Sequence, residues 1–352
     1  SRKEFHRIHR EAPCLYGYPI RTPLKGNRVA LVLPWRASFT NVSKTKDSIM
    51  RIGVMSGASP GLDGSINGLV ARAKDLDSRG FHSLWMANIF GHDAIMAQAI
   101  VGRETKNIEL GTAVVPSYPR HPHAMAQQCL TAQEACGGRF TLGLGLSHQI
   151  VIENMFGMSY EKPARHMREY MGVLGPLLRG EPAAFKGTQY NVNASVDIPG
   201  AAPVSVLIAA LGDQMLTIAG QSSDGTILWM TGTKTIESHI GPKVRAAASE
   251  AGRPEPRIVA GFPIAVTDNP DLARERIAEG LTVYGTLPSY RAMLDKEGAA
   301  GPADIAIVGN ESEVSKSLDR LRDVGVTDFD AAIFPAEEDT DRRTLELLQS
   351  RL

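Results

Sequence analysis

The chain has 352 residues, 43% of them apolar, with 38 Lys/Arg balanced by 38 Asp/Glu. That length holds one large domain or two modest ones, and no apolar run approaches the roughly twenty residues of a membrane span. Cysteines 14, 129 and 136 show no metal-ligand spacing, so a soluble, reduced, cytoplasmic protein is expected. The charge is uneven: residues 1–49 hold ten basic and three acidic groups, which leaves 28 basic and 35 acidic groups for residues 50–352. So acidic a body argues against a nucleic-acid partner, which must neutralise phosphates.

Residues 1–49 lack sustained periodicity and are expected to form a poorly ordered extension outside the fold, either upstream sequence or an expression tail. Transit peptides avoid acidic residues, and Glu4, Glu11 and Asp47 weigh against one. Met50 opens the domain, predicted over 50–352.

Arg51 to Met55 predicts a buried strand, followed by a helix over Ile66 to Ser78 whose apolar face is Leu69, Val70, Ala73 and Leu76. Phe81 to Met86 predicts the next strand, and Asp93 caps a helix running to Glu104. Ile108 to Val115 is a third strand that stops at Pro116; a proline-bearing loop then leads to a helix ended by Gly137 and Gly138. Arg139 to Leu146 is a strand with Gly143 and Gly145 at alternate positions. Glycine weakens a strand, so backbone or ligand is expected to approach closely there.

A charged helix beginning near Glu161 is expected to show water most of its surface. The alternation resumes with strands Val204 to Ala209, Thr226 to Met230, Arg257 to Val266, Ile305 to Gly309 and Phe329 to Phe334. Helices are predicted from Gly212, from Thr235, over Leu272 to Val283, over Pro288 to Glu297 and over Glu311 to Val324. About eight principal parallel strands in roughly 300 residues suit an α/β fold, a (β/α)8 TIM barrel with insertions. A doubly wound open sheet is the alternative.

In a barrel, ligands meet the carboxyl ends of the strands. These are Met55 to Pro60, Ala87 to His92, Ala113 to His121, Gly145 to Gln149, Ala209 to Gly212 and Met230 to Thr233. The turn Ala209-Ala210-Leu211-Gly212 leads from a strand into a helix whose free N–H groups could hold a phosphate, or it is a plain tight βα turn. His92, His121, His123 and His148 fall near strand ends and could move protons. No pair has metal-motif spacing, and neither a Walker A sequence nor a G-x-S-x-G elbow occurs.

Five ordered segments together carry a resemblance: RGFHSLW (79–85), IELGTAVVP with RHP (108–122), GGRFTLGLGLS (137–147), FGM with KPARHMREY (156–170) and AALGDQMLTIAGQSSDG (209–225). From Met50 nearly to the C-terminus the chain resembles the luciferase-like monooxygenase superfamily, and within it the branch that uses the deazaflavin coenzyme F420. The resemblance implies a bacterial-luciferase-like barrel with the cofactor ring across its carboxyl face. It further implies a non-proline cis peptide at Ala113-Val114 behind the ring, Gly145 and Ser147 lining the ring and its side chain, and Ala209, Ala210, Leu211 and Gly212 holding the phosphate.

One departure stands out. Many deazaflavin members have Asp-His or Glu-His after the second-strand Trp, whereas here Trp85 is followed by Met86, Ala87, Asn88 and Ile89. Asn88 can orient a carbonyl or hydroxyl but cannot exchange protons at neutral pH. The catalytic candidates are therefore Asn88, with His92 or His148 as proton donor. The expected activity is hydride transfer between F420 and a small organic substrate. The alternatives are an FMN-dependent monooxygenase and a binding protein without turnover, and a homodimer is expected from the resemblance.

Overall fold

The structure, a computed structural model, describes residues 49–56 and 64–352. The chain divides into Ser1–Lys46 and Asp47–Leu352. The extension expected over residues 1–49 lies, but for Ile49, outside the described residues.

Eight strands form the frame: β1 (Arg51–Ser56), β2 (Ser83–Met86), β3 (Glu109–Thr112), β4 (Phe140–Gly145), β5 (Ser205–Ile208), β6 (Gly225–Trp229), β7 (Arg257–Val266) and β8 (Asp328–Ile333). Each pairs in parallel with the next, and β8 pairs with both β7 and β1. The ring is closed, so the open sheet is excluded. Around it run α1 (Ile66–Ser78), α2 (Ala94–Glu104), α3 (Pro122–Ala135), α4 (Pro163–Leu178), α5 (Asp213–Ser222), α6 (Gly241–Glu250), α7 (Pro270–Gly280), α8 (Thr282–Thr286), α9 (Pro288–Glu297), α10 (Glu311–Asp323) and α11 (Thr340–Gln349).

Strand alternation sends every second side chain into the barrel and its neighbours toward the helices. Outward residues such as Leu84, Leu110, Leu142 and Phe262 join the apolar faces of the helices in the main core. Inside, the fully buried Trp85 fills the lumen, its Nε1 donating to Ser83 Oγ at 2.9 Å. A Cβ on Gly111 would collide with the indole, so one large ring is accommodated by a glycine on the next strand.

Below Trp85, at the amino end of the strands, Arg257 bonds to both Glu109 and Asp328, and Arg51 reaches the same two carboxylates. Thr141 Oγ1 adds a 2.6 Å bond to Glu109. The two arginines hold the pKa of the buried Glu109 down against its desolvation.

Several predicted elements need correction. The third strand is interrupted: β3 ends at Thr112, and pairing with β4 resumes at Val115–Pro116. The strand near Ile305 is only Ile307–Gly309; it pairs with Ile264–Val266 and stands outside the ring. The helix from Thr235 contains a π turn at Ile236–Ile240. Helix α4 is far less solvated than its charges suggest, because an antiparallel hairpin, Ala183–Lys186 with Asn191–Ala194, packs on it. Glu169 is the tie: its carboxylate accepts from the backbone N–H groups of Thr188, Gln189 and Tyr190. His166, Met167 and Tyr170 are buried on the same helix.

Candidate functional site at the carboxyl end of the barrel

Across β3 to β5 the carboxyl end is built from small side chains. Beyond Thr112 the Ala113-Val114 peptide is cis, as the resemblance implied. Ala113, Val114 and Ala209 are half-buried and rest on a layer of Trp85, Leu207, Ile227 and Val259. A Cβ on Gly145 would lie 2.5 Å from Val114 Cγ2 and 3.6 Å from Ala209 Cβ, so these three residues adjoin and only glycine fits. The paired glycines of β4 thus answer to different neighbours, for a Cβ on Gly143 would strike the backbone carbonyl of Thr112. The product is a shelf that carries no side chain larger than valine.

Backbone strain collects at the same end. Ser147, two residues past β4, has φ 59°, and Met230, just past β6, has φ 48°. An L-residue in this region costs roughly 1–2 kcal/mol, and such residues concentrate where a site requires an exact backbone path. The Tyr160 hydroxyl donates to the Ser147 carbonyl at 3.3 Å.

From β5 the chain passes through Ala209, Ala210, Leu211 and Gly212 into α5. Gly212 is the N-cap residue, and no side chain caps this helix. Its first N–H groups and positive dipole end form a cradle suited to an anion. A Cβ on Gly212 would have nothing within 4 Å, so the approach is open. His239, on the π turn, fixes the loop from behind through Nε2 at 2.8 Å from the Leu211 carbonyl, which requires the proton on Nε2. Asp213 in the first turn is ion-paired with Lys243, which keeps its pKa low.

Adjoining the shelf is an aromatic wall. Trp229 closes β6, and Tyr284 of α8 meets it edge-on at 6.3 Å between ring centres. Tyr290 of α9 meets Tyr284 at 5.2 Å, and His148 lies 5.7 Å from Tyr290. Trp229, Tyr284 and Tyr290 pack with Met55, Met230 and Ala113, so wall and shelf share Ala113. Burial lowers the pKa of His148 and raises those of Tyr284 and Tyr290, so all three are neutral at pH 7.

Of the other candidates, Asn88 Oδ1 accepts from Ala94 N at 3.0 Å, at the start of α2. His92 is exposed, with Nε2 2.9 Å from the Gly64 carbonyl. His121 is the N-cap of α3, and His123 offers it a backbone N–H. His148 alone of these histidines joins the wall.

Sequence reasoning missed a second aromatic group. Tyr118 stacks on His166 at 3.9 Å and on Tyr160 at 5.3 Å, and His166 Nε2 lies 2.9 Å from Ser117 Oγ. Burial takes the His166 pKa down to about 4. Among the described residues no group of three His, Cys, Asp or Glu could hold a metal ion, and no helix is long and apolar enough to cross a membrane.

The sequence profile of the luciferase-like monooxygenase family matches residues 49–328. The chain belongs to that family. Within it, the chain is 29% identical over 256 residues to an uncharacterised protein of Mycobacterium tuberculosis, covering 67% of this chain and 75% of the relative. It is 27% identical over 239 residues to a 5,10-methylenetetrahydromethanopterin reductase of Methanolobus tindarius, covering 67% and 72%. A Mycobacterium tuberculosis protein with the provisional name coenzyme F420-dependent oxidoreductase is 30% identical over 171 residues, covering 45% and 48%.

Among solved structures, the coenzyme F420 dependent tetrahydromethanopterin reductase of Methanopyrus kandleri shares the fold with a TM-score of 0.71 at 20% identity, over 86% of this chain and 98% of that one. The FMN complex of a type II Baeyer–Villiger monooxygenase component from Pseudomonas putida shares it with a TM-score of 0.66 at 16% identity, over 85% and 96%. This luciferase-like chain is accordingly an oxidoreductase-class enzyme on a (β/α)8 barrel.

Proposed function

We propose that the protein is a deazaflavin-dependent oxidoreductase that moves hydride between coenzyme F420 and a small organic substrate at the carboxyl end of the barrel. The observation that carries this reading is the shelf of Ala113, Val114, Gly145 and Ala209 continuing through Ala210 and Leu211 to the uncapped start of α5. A flat ring with an anionic tail fits that combination, small residues for the ring and helix N–H groups for the phosphate. The name of one relative, a coenzyme F420-dependent oxidoreductase, supports the choice of cofactor.

The cofactor supplies the hydride chemistry when bound. The chain's own residues do the rest. Ala113, Val114 and Gly145 back the ring, Ser147 lines its side chain, and Ala209 to Gly212 hold the tail. Trp229, Tyr284 and Tyr290 exclude water on the substrate side. His148 handles the substrate proton, since His92 is exposed and the Asn88 side chain is engaged with α2. His148→Gln should therefore cut turnover with cofactor affinity unchanged, whereas His92→Gln should alter neither; equal losses in both variants would reject this assignment.

Fluorescence titration of the full chain with oxidised F420 and separately with FMN tests the cofactor. Micromolar or tighter binding of the deazaflavin alone is expected. Preference for FMN would make the protein a reduced-flavin monooxygenase, and tight binding without turnover on any acceptor would make it a carrier. Two copies are proposed to pack through the outward apolar side chains of α2, where Met96 and Ile100 are exposed, and light scattering reads this. The buried free thiols of Cys129 and Cys136 suit a cytoplasmic setting.

A further inference from the structure

The polar groups of the aromatic wall lack partners. Among the described residues, neither the Tyr284 nor the Tyr290 hydroxyl nor either ring nitrogen of His148 hydrogen-bonds to a protein group, while the rings are only half-buried. Two neutral phenols and one neutral imidazole thus carry donors that no described protein group takes up. The phenols keep their protons, because burial holds their pKa values up.

The charge of the wall is equally informative. Burial alone sets the ionisation of His148 and Tyr284, and the Tyr284 phenol adds to burial at Tyr290; among the described residues no Lys, Arg, Asp or Glu acts on any of the three. A carboxylate or phosphate in this place would lose its water and meet no cation, an expensive exchange. The ring faces of Trp229, Tyr284 and Tyr290, turned edge-on to one another, instead favour a flat apolar partner.

We infer that the wall of Trp229, Tyr284, Tyr290 and His148 selects an uncharged, planar substrate bearing a carbonyl oxygen, which the Tyr284 and Tyr290 hydroxyls hold by hydrogen bonds. The inference rests on reading the carboxyl end of the barrel as the reaction site, and it assigns the substrate class of that site. The start of α5 would hold the tail of the cofactor by backbone N–H groups, so the substrate side has no need of a cation and, among the described residues, its wall carries none. Tyr284 and Tyr290 act here by specificity, through contact with substrate rather than through the transferred hydride.

The test is calorimetric titration of the full chain with three probes of one shape: coumarin, coumarin-3-carboxylate and naphthalene. Coumarin is expected to bind at least tenfold more tightly than its carboxylate. Tyr290→Phe and Tyr284→Phe keep the rings and remove the hydroxyls, and each should weaken coumarin about five- to tenfold while leaving naphthalene unchanged. Unchanged naphthalene binding also reports that the wall is intact. Equal or tighter binding of the carboxylate, coumarin affinity indifferent to both hydroxyls, or no coumarin binding up to its solubility would each overturn the inference.

Titration of the same preparation with F420 separates the two readings. Coumarin behaving as expected where F420 fails to bind would remove the cofactor reading and keep the wall; F420 binding with the carboxylate preferred would do the reverse.

Discussion

The two ends of the barrel solve opposite problems with the same eight strands. At the amino end, Arg51, Arg257, Glu109 and Asp328 are gathered into one network in which each charge has an opposite partner within 3.0 Å. At the carboxyl end a shelf of small side chains adjoins an aromatic wall, Ser147 and Met230 take positive φ, and the polar groups of the wall have no hydrogen-bond partner among the described residues. One end is chemically closed and the other is prepared for something else. Such asymmetry is expected of a barrel whose amino face serves stability and whose carboxyl face serves chemistry.

Breaking the closed end should give the largest effect. Arg257→Leu leaves Glu109 and Asp328 with Arg51 alone, and Asp328 is 1% exposed. Removing one partner of a buried ion network costs about 3–5 kcal/mol. A lower urea midpoint with an unchanged slope is expected, together with unaltered F420 affinity in the folded protein. A comparable loss of cofactor affinity would show that the ends are not independent.

Filling the open end should reverse that pattern. Ala209→Leu places a branched side chain on the shelf between Gly145 and the Trp85 layer, where no backbone bond or charge is disturbed. F420 affinity should fall at least thirtyfold, about 2 kcal/mol, with the urea midpoint almost unmoved. Retained affinity would place the ring elsewhere.

How much of this contrast was legible beforehand depended on whether a feature is local. Helices α1 and α9 and strand β7 were readable with their boundaries, because a change of period, a cap or a proline marks each end within the segment itself. The shelf was readable because its residues lie in contiguous motifs. The wall was not: Trp229, Tyr284 and Tyr290 belong to separate elements, and nothing in α8 or α9 announces that they turn over the mouth. Alternation in β6 could have marked Trp229 as inward, since it follows Gly225 and Ile227 at spacing two.

Helix α4 misled for a related reason. Its charges suggested water, but Glu169 serves a hairpin whose own sequence carries little apolar signal, and His166 lies among Tyr118, Tyr170 and Tyr190 from three separate segments. The amino-end network escaped notice too, for Arg51, Glu109, Arg257 and Asp328 each begin a strand and are joined only when the ring closes.

Over any one pH unit the smallest effects, about 1.4 kcal/mol at most, come from groups that follow neither pattern, and here the sign is informative. Asp330 points into the lumen between the two ends, both carboxyl oxygens lacking a hydrogen-bond partner among the described residues. Burial raises its pKa well above the ordinary value. A raised folded pKa gives stability that is complete below the unfolded value near 3.8 and is lost as pH rises toward the folded one. His166 works in the other direction: lowered from 6.5 to about 4, it contributes above 6.5 and loses that contribution as pH falls.

Each slope is limited to about 1.4 kcal/mol per pH unit, and the two are opposite in sign: Asp330 loses stability as pH rises above 3.8, whereas His166 gains it between about pH 4 and 6.5. Asp330→Asn should remove one of them: relative to the parent protein its melting temperature should climb as pH rises above 3.8. His166→Gln should show the reverse between about pH 4 and 6.5 and run parallel to the parent above pH 6.5. Parallel curves for Asp330→Asn at every pH would mean that this carboxyl has found a partner, and the lumen would then be as fully compensated as the amino end beneath it.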